Sequence, residues 1–150
     1  MTPLSEHFTL EELTRSDVAT RRAIDNTPDA QTQARLCILA QGLERVRALL
    51  AVPMHIDSGY RCPTLNAAIG GARDSRHMVG LAADFVAPDF GAPKAIAEFL
   101  ADRADDLRFD QLIQEGDWVH IAFADDTPPR GDILTAHFVG GTVRYTKGLA

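Results

Sequence analysis

Residues 29–50 constrain the fold more than any other stretch. In DAQTQARLCILAQGLERVRALL, Leu36, Leu39, Leu43, Val46 and Leu50 recur at intervals of three and four. On a helix they line one side. An apolar stripe of that kind needs a core to pack on. The spacing also fits a coiled-coil seam, but a helix of about 20 residues is short for one, so packing within a domain is expected. Gly42 lowers helix propensity without erasing the stripe, and Pro53 ends it. Cys37 sits inside the apolar pattern and is expected to be small, reduced and buried.

The partners for that stripe come from both sides of it. FTLEELTRSDVATRRAI begins with Thr9 followed by Glu12, a capping-box pattern, and predicts one or two short helices before the NTP turn at residues 26–28. MHIDS (residues 54–58) predicts a strand with Met54, Ile56 and Ser58 on one side. PTLNAAI predicts a short helix, with Pro63 near its start and Gly70 and Gly71 beyond its end. AADFV predicts a buried strand, and APKAIAEFLADRA a second amphipathic helix that turns Ile96, Phe99 and Leu100 inward. RFDQLIQEGDWVHIAF predicts two strands joined through Glu115, Gly116 and Asp117 as a hairpin. After the DDTPPRGD turn, Val139, Val143 and Tyr145 give only a weak strand signal, and the last residues are expected to fray. Short strands mixed with helices and mostly joined closely favour an α+β fold over a doubly wound sheet.

The chain has 150 residues, which suits one compact domain able to build a core without disulfides or metal. Its formal net charge of −6 gives no general attraction to nucleic acid or anionic membranes. No stretch approaches the roughly 18 apolar residues of a membrane span, and no basic region followed by an apolar run marks a signal peptide. Synthesis in the cytoplasm and no stable membrane association are therefore expected. The spacing of Cys37 and Cys62 matches no metal or redox motif, so reduced thiols are expected.

Three scattered residues invite a chemical reading. His77 precedes the apolar run that contains Asp84, and His120 lies in DWVHIAF. Two imidazoles and a carboxylate suit zinc with water in the fourth position. Alone, His77 reads as a surface or hydrogen-bonded histidine. Asp84 is harder to set aside, because Ala82, Ala83, Phe85 and Val86 surround it, and a carboxylate there is costly unless paired, protonated or metal-bound. His120 sits among Trp118, Val119, Ile121 and Phe123 and raises the same question. Asp117, three residues before His120, is placed by the turn rather than by strand alternation, where it could move a proton.

SGYRCPTLNAAIGG, SRHMVGLAAD and GDWVH, in that order, closely resemble the zinc D-Ala-D-Ala carboxypeptidase and endopeptidase family, peptidase family M15, in its phage-type peptidoglycan hydrolase branch. The resemblance runs from about Phe8 to Phe123 and includes the FTLEEL start and the DNTP turn. It implies a hedgehog/DD-peptidase-like α+β fold, with a small antiparallel sheet, flanking helices and a zinc cleft. A helical part at about residues 8–52 would precede a catalytic core at about 53–146, within one zinc peptidase domain spanning 1–150. It implies one Zn2+ per chain held by His77, Asp84 and His120, with Asp117 as general base and then acid. Arg61 of SGYR would stabilise the oxyanion on the scissile carbonyl; on sequence alone it is equally a solvent-facing residue after a strand. Ser58, Asn66, Arg76 and Trp118 are candidate substrate contacts, Ser58 and Asn66 lining the cleft or fixing the loop. Arg76 departs from the family pattern, which usually has a small or amide residue there.

The implied activity is hydrolysis of an amide bond in peptidoglycan stem peptides without an acyl-enzyme, neither cysteine lying beside an evident histidine base. An endopeptidase of the L-Ala-D-Glu type is expected, with a D-Ala-D-Ala carboxypeptidase as the alternative. The partner is a peptidoglycan peptide, the expected state a monomer, and the site of action the bacterial cell wall, reached through a phage holin lesion or another export route. Two further classes stay open: a non-catalytic metal- or peptide-binding module, and a non-haem iron oxygenase built on the same two histidines and one carboxylate.

Overall fold

The computed structural model describes residues 1–149. Two short helices open the chain: α1 (Leu10–Thr14) and α2 (Asp17–Arg21). The Thr9 and Ser16 hydroxyls cap them by accepting from Glu12 N and Ala19 N, satisfying first-turn donors that the helix itself leaves unpaired. The stripe helix is α3 (Ala30–Leu50), capped by the Asp29 carboxylate at 2.8 Å from Thr32 N. It ends at Ala51, left-handed at φ 58°, two residues before Pro53.

Leu36, Leu39, Leu43, Val46 and Leu50 are all buried, as their spacing requires. Cys37 is not. It is exposed, beside the partly exposed Ile38, because one step along a helix turns a side chain about 100° away from the stripe. Both cysteines are free.

The remaining elements are β1 (His55–Ser58), α4 (Pro63–Ala68), a 3-10 turn (Arg76–Val79), β2 (Ala82–Val86), α5 (Pro93–Ala101), α6 (Ala104–Leu107), β3 (Gln111–Gln114), β4 (Val119–Ala122), β5 (Asp132–Val139) and β6 (Thr142–Lys147). The strands form a six-stranded sheet in the order β1-β2-β4-β3-β5-β6. It is mixed, not purely antiparallel, because β5 runs parallel to β3. The hairpin partner β4 and the following loop return the chain to the end at which β3 began, so β5 enters beside β3 in the same direction. Gly140 and Gly141, both at positive φ, close the two-residue turn between β5 and β6. Such a turn matches the twist of a hairpin and favours glycine.

Strand alternation divides the sheet into two faces. Ile56, Phe85 and Val119 are successive cross-strand partners, as are Ala83, Ile121 and Leu112. All six belong to the core with the α3 stripe and with Ile96, Ala97 and Leu100 of α5. The opposite face carries Ser58, Asp84, His120, Ile113 and Leu134 as one row across five strands. Ser58 reaches that row because the register shifts between Ile56 and Ser58. Two residues on β1 there oppose one step on β2, which moves Ser58 off the Ile56 face where simple alternation would put it.

Gly42 joins the two layers. A Cβ there would lie 2.4 Å from the Phe123 ring, so the helix lies against the aromatic just beyond β4 only because position 42 has no side chain. Gly42→Ala is expected to destabilise the fold by about 1–3 kcal/mol through overpacking, read as a lower urea midpoint at unchanged slope.

Candidate metal centre and its cleft

Asp84 on β2 and His120 on β4 are direct cross-strand partners, which places Asp84 Oδ1 2.9 Å from His120 Nδ1. His77 arrives from the 3-10 turn before β2, where the Ser75 hydroxyl accepts from His77 N and Gly80 closes the turn at φ 82°. His77 Nε2 lies 3.2 Å from the same Asp84 oxygen, and the two imidazoles meet edge to face with centroids 5.1 Å apart. The three ligand atoms all fall within 4.8 Å of one another, and the three residues are buried.

SGYR fixes His77 in place. Gly59 O lies 2.6 Å from His77 Nδ1, and Arg61 N donates to His77 O at 3.0 Å. Gly59 is itself pressed against α1, where a Cβ would come 2.3 Å from Leu13 O, and Tyr60 N donates to that same carbonyl at 2.7 Å. The motif thus links the first helix to the site, and only glycine fits at position 59.

The donor set fits a metal ion. A carbonyl can only accept, so His77 Nδ1 carries the proton toward Gly59 and leaves a lone pair on Nε2, facing the Asp84 carboxylate. Burial holds His77 below its ordinary pKa against the raising pull of Asp84, and so disfavours the doubly protonated ring. Asp84 is held well below the carboxylate range, burial being outweighed by the two imidazoles. A lone pair and an anionic oxygen at 3.2 Å repel unless a cation lies with them. Two nitrogens and one oxygen suit zinc, and a carbonyl that orients a ligating histidine is its usual outer support.

The cluster sits in a cleft of about 850 Å³. Arg61, Arg76 and Trp118 line it. Arg61 donates weakly to Ser75 Oγ at 3.3 Å, while its Nε, like Trp118 Nε1, is buried without a hydrogen-bond partner among the described residues. Arg61, Asp84 and Trp118 also border a second lobe of about 350 Å³, which contains Ser58. Asn66 lines neither. It is buried behind the loop, where its Nδ2 donates to Ala72 O at 2.9 Å and its Oδ1 leaves no room for a Cβ on Gly71.

Asp117 does not line the cleft. It is exposed on the turn between β3 and β4, and the carboxylate of that turn that enters the cleft belongs to Glu115. Alternation explains the exchange. Glu115 lies two residues beyond Ile113, which faces the site, and Trp118 lies two before His120. Asp117 falls at the tip between them, after Gly116 at φ 80°. Burial raises the Glu115 pKa, opposed by His120 and Arg61 and reinforced by Asp84. Extending the period-2 pattern of QLIQE by one residue would have found Glu115 from sequence. Leu134, Phe138 and Tyr145 also line the cleft; they belong to a hairpin whose strand signal is weak.

A family model described as Peptidase M15 matches residues 6–122, from before α1 to the end of β4, and so includes His77, Asp84 and His120. No curated protein matches the chain.

Proposed function

Because the chain belongs to the peptidase M15 family, we propose that it hydrolyses an amide bond in peptidoglycan stem peptides at the His77–Asp84–His120 centre. The observation that carries this reading is the convergence of those three donors in a cleft that also presents the Glu115 carboxylate and the Arg61 guanidinium. Bound zinc would polarise the scissile carbonyl and lower the pKa of a water toward about 7. Glu115 takes the proton from the attacking water and returns it to the leaving amine. Burial suits it to both tasks, because a raised pKa makes a carboxylate the stronger base and its acid form more readily populated. Arg61 faces the carbonyl oxygen as it gains charge, its buried Nε having no other partner among the described residues.

We assign an endopeptidase of the L-Ala-D-Glu type, acting at the bacterial cell wall. The second lobe supports this, since substrate can continue past the metal on both sides. Mass spectrometry of products from defined muropeptides tests the assignment, with loss of a terminal D-Ala alone pointing instead to a carboxypeptidase.

The pH profile follows from the sign of the Glu115 shift. A general base works only when ionised, and a raised pKa moves the loss of the ionised form to higher pH. The acid limb of kcat/KM is therefore expected above the ordinary glutamate range. Rates measured across pH with metal content held constant check this, and a limb at or below that range would contradict the assignment.

A further inference from the structure

Three arginines line the cleft of a protein whose net charge is −6, and only Arg61 has been given a role in hydrolysis above. The other two, Arg76 and Arg130, gather at one end. Arg130 is clamped by Asp110, which is 2% exposed. Arg130 Nε lies 3.1 and 3.2 Å from the two carboxylate oxygens, Nη2 donates at 2.9 Å, and the backbone N–H adds a fourth bond at 3.1 Å. Among the described residues Nη1 has no hydrogen-bond partner. Arg76 makes no side-chain hydrogen bond or ion pair among them, yet lies close enough to Asp110 to help hold its carboxyl below the usual range, where Arg130's bonds have already overcome burial.

The strand beneath gives the cleft a direction. Gln111, Ile113 and Glu115 alternate onto the cleft side of β3 and its following turn. Ile113 is level with His120, Glu115 lies two residues to one side, and Gln111 lies two residues to the other. Arg130 stands at the Gln111 end, through its bonds to the adjacent Asp110. Two residues of strand span roughly 7 Å, the length of about two residues of an extended peptide, so this end of the cleft flanks the residue beside the reacting amide.

We infer that Arg76 and Arg130 form a carboxylate subsite that selects substrates carrying a free carboxylate on the residue next to the scissile bond. This rests on the stem-peptide reading and deepens it. A glutamyl residue linked through its side chain keeps its α-carboxylate free beside the amide on its nitrogen. A guanidinium held by a buried carboxylate presents its remaining donors in a fixed direction, which favours a planar acceptor over a neutral amide.

The test is equilibrium binding. Zinc-loaded Glu115→Gln protein is titrated calorimetrically with a stem tetrapeptide bearing a free glutamyl α-carboxylate, and with the same peptide amidated there. The free acid is expected to bind at least about tenfold tighter, in line with a charge-assisted contact. Arg76→Gln, whose side chain is exposed, and Arg130→Lys, which keeps the positive charge facing Asp110, should each remove most of that preference. A purely structural role for Arg130 would lower the melting temperature without changing the acid-to-amide ratio. Equal affinity for the two peptides, binding of neither, or a preference that survives both substitutions overturns the inference. Hydrolysis by the wild-type protein is scored separately. Cleavage without acid preference rejects the subsite and leaves the peptidase reading standing; acid preference without cleavage does the reverse.

Discussion

Glu115→Gln is expected to lower turnover by about 10²–10⁴-fold, the usual contribution of a positioned general acid–base, while zinc content stays at that of the wild-type protein. Asp117→Asn is expected to change turnover less than about threefold, because its side chain lies outside the cleft and an exposed turn residue of that kind contributes little. The pair separates two carboxylates that are two residues apart and equally suited on paper. Glu115 continues the cleft-facing alternation of β3, whereas Asp117 follows a glycine at positive φ that turns the chain outward. Steady-state kinetics with metal analysis on both variants decides the matter, and the reverse ranking would return the role to Asp117.

His120→Ala is expected to abolish both metal retention and activity. It removes one of three buried donors and leaves Asp84 without its closest partner, at 2.9 Å. The loss of zinc affinity should exceed the roughly 10–100-fold typical of losing an outer supporting group. The fold itself should survive, since the side chain faces the cleft and the α3 core lies on the other side of the sheet. Chelation of the wild-type protein should act on stability as well. A metal bound only by the folded state at a thousand times its Kd contributes about 4 kcal/mol, seen as a lower melting temperature that recovers on adding zinc. A variant that keeps stoichiometric zinc would show that another residue completes the centre.

Much of this is legible in the amino-acid sequence. The α3 stripe is buried as its spacing demands, and the cap at Thr9, the hairpin around Gly116 and the α+β class follow from local rules that tertiary contacts did not overturn. The candidate metal ligands were found through motif order, and the sheet register shows why the order works: Asp84 and His120 are distant in sequence but adjacent across two strands. What periodicity could not supply was topology. The parallel entry of β5 beside β3 depends on a long return of the chain, and the register shift that moves Ser58 to the site face leaves no trace in the residue pattern. Cys37 shows the limit on a helix, where an apolar neighbourhood in sequence spans both the buried stripe and the solvent face. Asp117 and Glu115 differ for a related reason. Motif spacing fixes the distance to His120 along the chain, but strand parity decides which carboxylate points into the cleft.

The central claim is that the His77–Asp84–His120 cluster holds a zinc ion that serves peptide hydrolysis. Its most direct test is mass spectrometry of defined stem peptides incubated with protein stripped of metal and then reconstituted with zinc or with iron. The predicted result is a cleaved amide, with a mass gain of one water across the products, only in the zinc-loaded sample. Intact peptides at full zinc occupancy, or iron-dependent oxygen consumption without peptide cleavage, would contradict it.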